Sequence, residues 1–247
     1  MVQLSLIKRF YTFYKFGGLL YVFNKTLVFV YSKFINLVAV IFFSTNSKQY
    51  WDFRLKYAWS FVSGPFQTLL FATSAFANSK IKDLKINSVL DYGCGTGDSS
   101  IIFKIFFEKA KIYLYDLSDL GAKSGLVKYS RFIDVHPIKK NIKYDLVYSS
   151  NVIEHVSEVK IILDSMIKLT RKYILIQCPW NEIHPLNSKK ISPKNPHSEH
   201  VHTIDIQFLK KNLFINKNFL WTYKVGTVPM AWQGGKQLFI LGVKKDK

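Results

Sequence analysis

The sequence predicts an α/β fold: a mostly parallel sheet with helices on both faces, a terminal antiparallel pair, and amphipathic helices at the N-terminus. Three observations carry that expectation. After Asn87, short β-rich runs alternate with helical ones, the pattern of parallel strands joined by crossover helices. One turn between them is the glycine run Gly93-Cys94-Gly95-Thr96-Gly97. Residues 1–51 differ in character, holding six basic residues, no acidic one and many aromatics.

Taken in order, the first segment places Lys8, Arg9, Thr12 and Lys15 on one side of a helix. Leu4, Ile7, Phe10, Tyr11 and Tyr14 fall on the other, and Gly17-Gly18 ends it. A second helix is predicted from Leu19 to Phe43, with a narrow polar stripe from Lys25, Ser32, Lys33 and Asn36. Recurring charges exclude a secretory signal peptide. The longest uncharged run, Phe34 to Ser47, is short of the roughly 20 apolar residues of a membrane span. A basic, aromatic, amphipathic leader over residues 1–47 suits an anionic membrane surface; a helical cap on the domain or a dimer contact is the alternative. The domain proper is expected over residues 48–247. Residues 48 to 87 read as helical with a break at Gly64-Pro65. Strands follow at SVLDYG, KIYLYD, SRFID, YDLVYSS and KYILIQCP, with helices from about Asp98, from about Ser118 and over Val156 to Thr170. TIDIQFLKKN is helical, and LWTYKVG and KQLFILGVKK form the terminal pair.

Composition bounds the function. With 247 residues and 49% hydrophobic side chains the chain suffices for one large domain or for one domain with an appendage, and disorder is excluded. A formal charge of +19 favours an anionic partner: lipid headgroups, nucleic acid or a phosphorylated substrate. Cys94 and Cys178 are too far apart for a metal knuckle or a disulfide framework, which fits a reducing cytoplasm.

The sharpest local signal is Asp91-Tyr92-Gly93-Cys94-Gly95-Thr96-Gly97-Asp98, between a strand run and an apolar helix. Glycines there let the main chain approach a ligand, and Asp91 can fix the loop or meet a cationic group. Asp116, 19 residues past Gly97, ends the next strand, where a carboxylate can accept both hydroxyls of a ribose; capping a helix is its plainer role. Together they describe an adenosine site. The spacing is not GxGxxG, and nothing matches GxxxxGK followed by Ser or Thr, which disfavours pyrophosphate or triphosphate.

Over roughly residues 85 to 245 the chain resembles the class I S-adenosylmethionine-dependent methyltransferases. VLDYGCGTGD, YLYDLS, FIDV and YDLVYSSNVIEHV occur in that family's order and spacing. The resemblance implies a Rossmann-like seven-stranded methyltransferase sheet and S-adenosyl-L-methionine as cofactor. It implies that Asp91, Gly93, Gly95 and Gly97 line the methionine and ribose part, with Cys94 contributing main chain. By the same resemblance Asp116 holds the ribose hydroxyls, Asp134 reads the adenine amino group, and Ser150 and Asn151 flank the methionine moiety. One departure is that only nine residues, Val135 to Lys143, separate the third and fourth strands, so that crossover is clipped.

A sulfonium-bound methyl is already electrophilic, so the protein must hold a nucleophile in line and, for a hydroxyl, remove its proton. His155 follows the fourth strand, at the sheet edge where such folds bind ligands, and is the expected general base. Glu154 and His200 are expected to support it. His200, and His202 beside it, come from a long polar insertion after the fifth strand that also contains His184, His197, Glu182 and Glu199. This pattern is similar to small-RNA terminal methyltransferases, which bind a divalent metal there. Those enzymes carry a further glutamate where this chain has Asn151, so no metal is expected. Helix capping by Glu154 and His155 is the alternative. Trp51, Trp59 and the hairpin AWQGGKQ are expected to wall the acceptor pocket.

The leader, YWDFR, the core and HSEHVHT together resemble bacterial methyltransferases of surface-glycan and lipid-linked sugar pathways, of the type 11/23 kind. That likeness implies O-methylation of a small or lipid-linked acceptor by an enzyme peripheral on the cytoplasmic membrane face. An RNA methyltransferase is the rival, favoured by charge and by Glu154-His155, but no RNA-binding module is visible. A degenerate methyltransferase serving as membrane-bound scaffold is opposed by the intact glycine loop and Asp116.

Overall fold

A computed structural model describes residues 23, 26–28, 30–31, 34–35, 37–44, 47–57, 59, 64–79, 81, 84–128, 132–134, 138, 141–196, 199–228 and 236–245. The predicted first leader helix and Gly17-Gly18 lie outside them. The described positions between 23 and 42 are helical, as expected for the second.

Thirteen elements follow. Helix α1 (Lys48–Tyr57) and helix α2 (Gly64–Asn78) precede β1 (Ser88–Tyr92), α3 (Ser100–Phe106), β2 (Lys111–Tyr115), α4 (Asp119–Lys128) and β3 (Phe132–Asp134). Then come β4 (Tyr144–Ser150), α5 (Val159–Leu169), β5 (Thr170–Pro179), α6 (Ile206–Asn212), β6 (Phe219–Thr227) and β7 (Lys236–Lys244). The seven strands form one sheet in the order β3-β2-β1-β4-β5-β7-β6. β3, β2, β1, β4 and β5 are parallel, and β7 lies antiparallel between β5 and β6.

Alternation along the strands divides the core. Leu146, Tyr148 and Leu175 pack with Phe71 and Phe76 of α2 and Phe103 of α3 on one face. Val147, Ile174 and Ile176 pack on the other with Val159, Leu163 and Met166 of α5, which repeat at helical spacing. Both faces of β4 are therefore buried, which is why its sequence reads as an apolar run.

Chain order reverses on either side of β1, with β2 on one flank and β4 on the other. At such a switch point the loops after the strands diverge and leave a crevice. The glycine loop, Asp116 and the segment with Glu154 and His155 follow the carboxyl ends of β1, β2 and β4 at that edge. Helix α5 begins at Val159, not at the predicted Val156, because the chain first stays irregular: the carbonyl of Glu154 accepts from Val201 N at 2.7 Å.

Candidate functional site

The glycine loop after β1 is built on positive φ angles at Gly93 (81°), Gly95 (52°) and Gly97 (74°), a region that side chains disfavour. A Cβ on Gly93 would stand 2.2 Å from Val152 Cγ2. Gly93 N and Cys94 N donate to the carbonyl of Tyr115 at 2.7 and 3.0 Å, tying the loop to the end of β2. The Cys94 side chain is buried, so only its main chain faces the turn.

Asp91 points inward. Its Oδ2 accepts from Ser99 Oγ and Ser100 Oγ, both at 2.6 Å, so it fastens the turn into α3. Burial pushes its carboxyl up to about 6, against the pull of those two hydroxyls. Asp116 fixes the other side: Oδ2 accepts from Gly95 N at 2.7 Å and Oδ1 from Ser118 N at 2.8 Å. The adenosine reading fits the setting of these residues: a main-chain turn that side chains disfavour stands beside a carboxylate at the end of the neighbouring strand. Asp134 ends β3 opposite Leu114 of β2, and its side chain lies outside the described part. Ser150 Oγ donates to Gln177 Oε1, and Asn151, at φ 51°, donates its N–H to the carbonyl of Gln177 at 2.9 Å.

Two features of the loop's surroundings were not foreseen. Helix α4 approaches so closely that a Cβ on Gly121 would meet the Gly95 carbonyl oxygen at 2.7 Å; two glycines inside one helical run were the available signal. Helix α1 and the residues just after it lie beside the same loop: Leu55 would stand 3.9 Å from a Cβ on Gly95, Trp59 Nε1 donates to Thr96 Oγ1 at 3.0 Å, and Asp52 accepts from Ser118 Oγ beyond β2.

Past the end of β4, the structure brings Glu154, His155 and His200 together. The rings of His155 and His200 meet edge to face with centroids 4.7 Å apart, and His155 Nε2 is 4.0 Å from Glu154 Oε1. Trp51 packs edge to face against His155, with ring centroids 5.2 Å apart. His155 Nδ1 donates to the main-chain oxygen of Glu199 at 3.1 Å, which leaves the Nε2 lone pair free in the neutral ring. Burial, then His200 and Arg54, hold its pKa well below the ordinary value. His200 Nδ1 donates to Glu182, a partner that sequence reasoning did not assign. Burial alone would lower His200, but Glu182 and Glu154 outweigh it and its pKa is raised.

Neither Glu154 nor His155 caps α5, whose N-cap is Glu158. Glu154 is 1% exposed, and among the described residues neither carboxylate oxygen has a hydrogen-bond partner. Its pKa is raised to about 7, chiefly by burial. Two further histidines stand apart: His202 Nε2 donates to the carbonyl of Val156 at 2.9 Å and His184 Nδ1 accepts from Leu186 N, while His136 and His197 lie outside the described residues. So do residues 231–235 of the expected hairpin wall.

The isolated carboxylate makes a stability prediction. A carboxyl whose folded pKa is raised contributes stability that is full below the unfolded value near 4.5 and lost as pH rises through about 7. Glu154→Gln is therefore expected to melt above wild type at pH 8, in chelator-treated protein, with the gap closing by pH 5. Equal melting temperatures at pH 8 would contradict the isolation of this charge.

A family model described as a methyltransferase domain matches residues 61–214, more than half of the chain. No curated protein matches it by sequence. Among solved structures, a plantazolicin methyltransferase in complex with S-adenosylhomocysteine is 13% identical, over 88% of this chain and 100% of that one, with a TM-score of 0.57. Magnesium protoporphyrin IX methyltransferase from Synechocystis PCC 6803, with bound S-adenosylhomocysteine, is 18% identical over 75% and 85%, with a TM-score of 0.54. Haemonchus contortus phosphoethanolamine N-methyltransferase 2, in complex with S-adenosyl-L-methionine, is 11% identical over 79% and 60%, with a TM-score of 0.58. At these identities the likeness is one of fold.

Proposed function

The chain belongs to the methyltransferase-domain family, and from that premise we propose that it moves the methyl group of S-adenosylmethionine to a hydroxyl of a small or lipid-linked, sugar-type acceptor at the cytoplasmic face of a membrane. One observation carries the chemistry: the glycine loop and an imidazole with a free Nε2 lone pair flank the same sheet edge. When bound, the cofactor supplies an electrophilic methyl group. The residues do the rest. Gly93, Gly95, Gly97 and Asp116 hold the adenosine end, with Asp91 bracing the loop. His155 takes the hydroxyl proton at Nε2, and Trp51 shields the ring from water on one side. Solved neighbours act on a porphyrin and on phosphoethanolamine by their names, so the fold leaves the acceptor open. Labelled S-adenosylmethionine incubated with protein and cell extract, then sorted into lipid, glycan, RNA and protein fractions, tests the acceptor class. Label in lipid or glycan is expected; label in RNA alone overturns the reading.

The membrane location draws support from the leader. Phe23, Leu27, Tyr31, Phe34, Leu37 and Ile41 recur at helical spacing and are all exposed, while Ile35 and Ala39 are buried. No acidic residue occurs before Asp52 to repel an anionic surface, and each nearby basic side chain contributes about 1 kcal/mol there. Among the described residues no helix is long and apolar enough to cross a membrane. The full chain is expected to float with phosphatidylglycerol vesicles, less so as salt rises, and Leu27→Glu/Phe34→Glu to stay in the pellet fraction. Equal flotation of both proteins removes the leader from this role.

A second reading is favoured by the unpartnered Glu154. Among the described residues, one ligand atom each from Glu154, His155 and His200 lies within 4.8 Å of the others, an arrangement that suits a divalent cation. Under that reading a chelator abolishes turnover and added metal restores it; under the first, chelation leaves the rate unchanged.

A further inference from the structure

Helix α1 reaches the acceptor side as well as the glycine loop. Arg54, only 8% exposed, pairs its guanidinium with the carboxylate of Glu199, from the long polar insertion. Arg54 Nη1 also donates to the hydroxyl of Tyr50 at 3.0 Å, and that hydroxyl donates to Glu199 Oε1 at 2.6 Å. Tyr50 is wholly buried. Arginine and glutamate are rarely buried unless paired, and the two sides of this pair come from segments remote in sequence. The main chain of the same Glu199 holds His155, since its carbonyl oxygen lies 3.1 Å from Nδ1. A carbonyl only accepts, so Nδ1 of the neutral ring must carry the proton, and Nε2 is left bare toward Glu154.

We propose that Arg54 and Tyr50 are positioning residues for His155, acting through Glu199, whose side chain they clamp and whose carbonyl fixes the tautomer of the ring. This rests on the reading of His155 as the base. Trp51, between them on α1, sets the ring plane by its edge contact. On the other side of Glu199 the insertion is tied by His200, which donates to Glu182, and by Val201 N, which donates to the Glu154 carbonyl at 2.7 Å. Because Lys48 ties α1 to Asp119 at 3.1 Å and Trp59, just past the helix end, donates to Thr96, this one segment braces both the cofactor loop and the base.

The test uses full-length Tyr50→Phe and Glu199→Gln, with ring ¹⁵N chemical shifts of His155 at neutral pH as the primary readout. Wild type is expected to show one neutral tautomer, protonated at Nδ1, and the variants a mixture. Turnover should fall about ten- to a hundredfold, as when a group orienting a functional imidazole is lost, with KM for S-adenosylmethionine unchanged. Should Glu199→Gln fail to fold, Arg54→Met/Glu199→Leu replaces the pair with apolar groups of similar volume, a change that buried pairs tolerate, and is expected to lose the single tautomer too. Retention of the Nδ1–H tautomer and of wild-type turnover in a folded variant overturns the proposal. That result beside an inactive His155→Ala defeats the positioning role alone, whereas an active His155→Ala defeats the base reading beneath it.

Discussion

His155→Ala is expected to bind S-adenosylmethionine as wild type does and to turn over about 10²- to 10⁴-fold more slowly, the usual loss when a general base is removed. The cofactor loop and His155 are held by different contacts, Tyr115, Asp91 and Asp116 for the first and Glu199 and Trp51 for the second, so the two effects should separate. The wild-type pH profile should also be displaced. Only the neutral ring can accept a proton, and burial with two nearby cationic groups keeps His155 neutral below its ordinary pKa of 6.5. Turnover should therefore persist as pH falls through 6.5. A decline centred at or above 6.5, or near-normal turnover in a folded His155→Ala, would remove His155 from this role.

Gly95→Val is expected to abolish S-adenosylmethionine binding measured by calorimetry. A β-branched residue is strained at φ 52°, and its Cβ would enter the gap beneath Leu55 and Trp59, each 3.9 Å away. Asp116→Ala should weaken binding by about 1.5 to 3 kcal/mol, the usual worth of hydrogen bonds to a charged group. The structure adds a second cause: Asp116 also accepts the N–H of Gly95 and of Ser118, so its loss unfastens the loop that meets the ligand. Unchanged affinity in both variants would sink the assignment of the site.

What the sequence made legible follows from how local each determinant is. The run YDLVYSS reads as a buried strand because both faces of β4 are covered, and Tyr144–Ser150 is the strand observed. The glycine loop is legible because positive φ at three close positions demands glycine. The antiparallel end was foreseen as a pair, and the sheet places β7 between β5 and β6. The Tyr50–Arg54–Glu199 clamp was not legible, because its partners are remote in sequence and each charge alone reads as a solvated surface group. His200 was expected to meet His155, with His202 as a further candidate, and the rings of His200 and His155 do meet; that His202 turns instead to Val156 was not legible, because the insertion has no periodicity and its register is set by tertiary hydrogen bonds. Glu182 stayed unassigned for the same reason, since its role exists only through His200.

The most direct test of the central claim is ultraviolet crosslinking of methyl-labelled S-adenosylmethionine to the full chain, followed by peptide mapping. The account predicts saturable label, competed by S-adenosylhomocysteine, on peptides spanning Asp91 to Asp98 or Asp116 to Ser118. Saturable label confined to other peptides, or no saturable label at all, would contradict it.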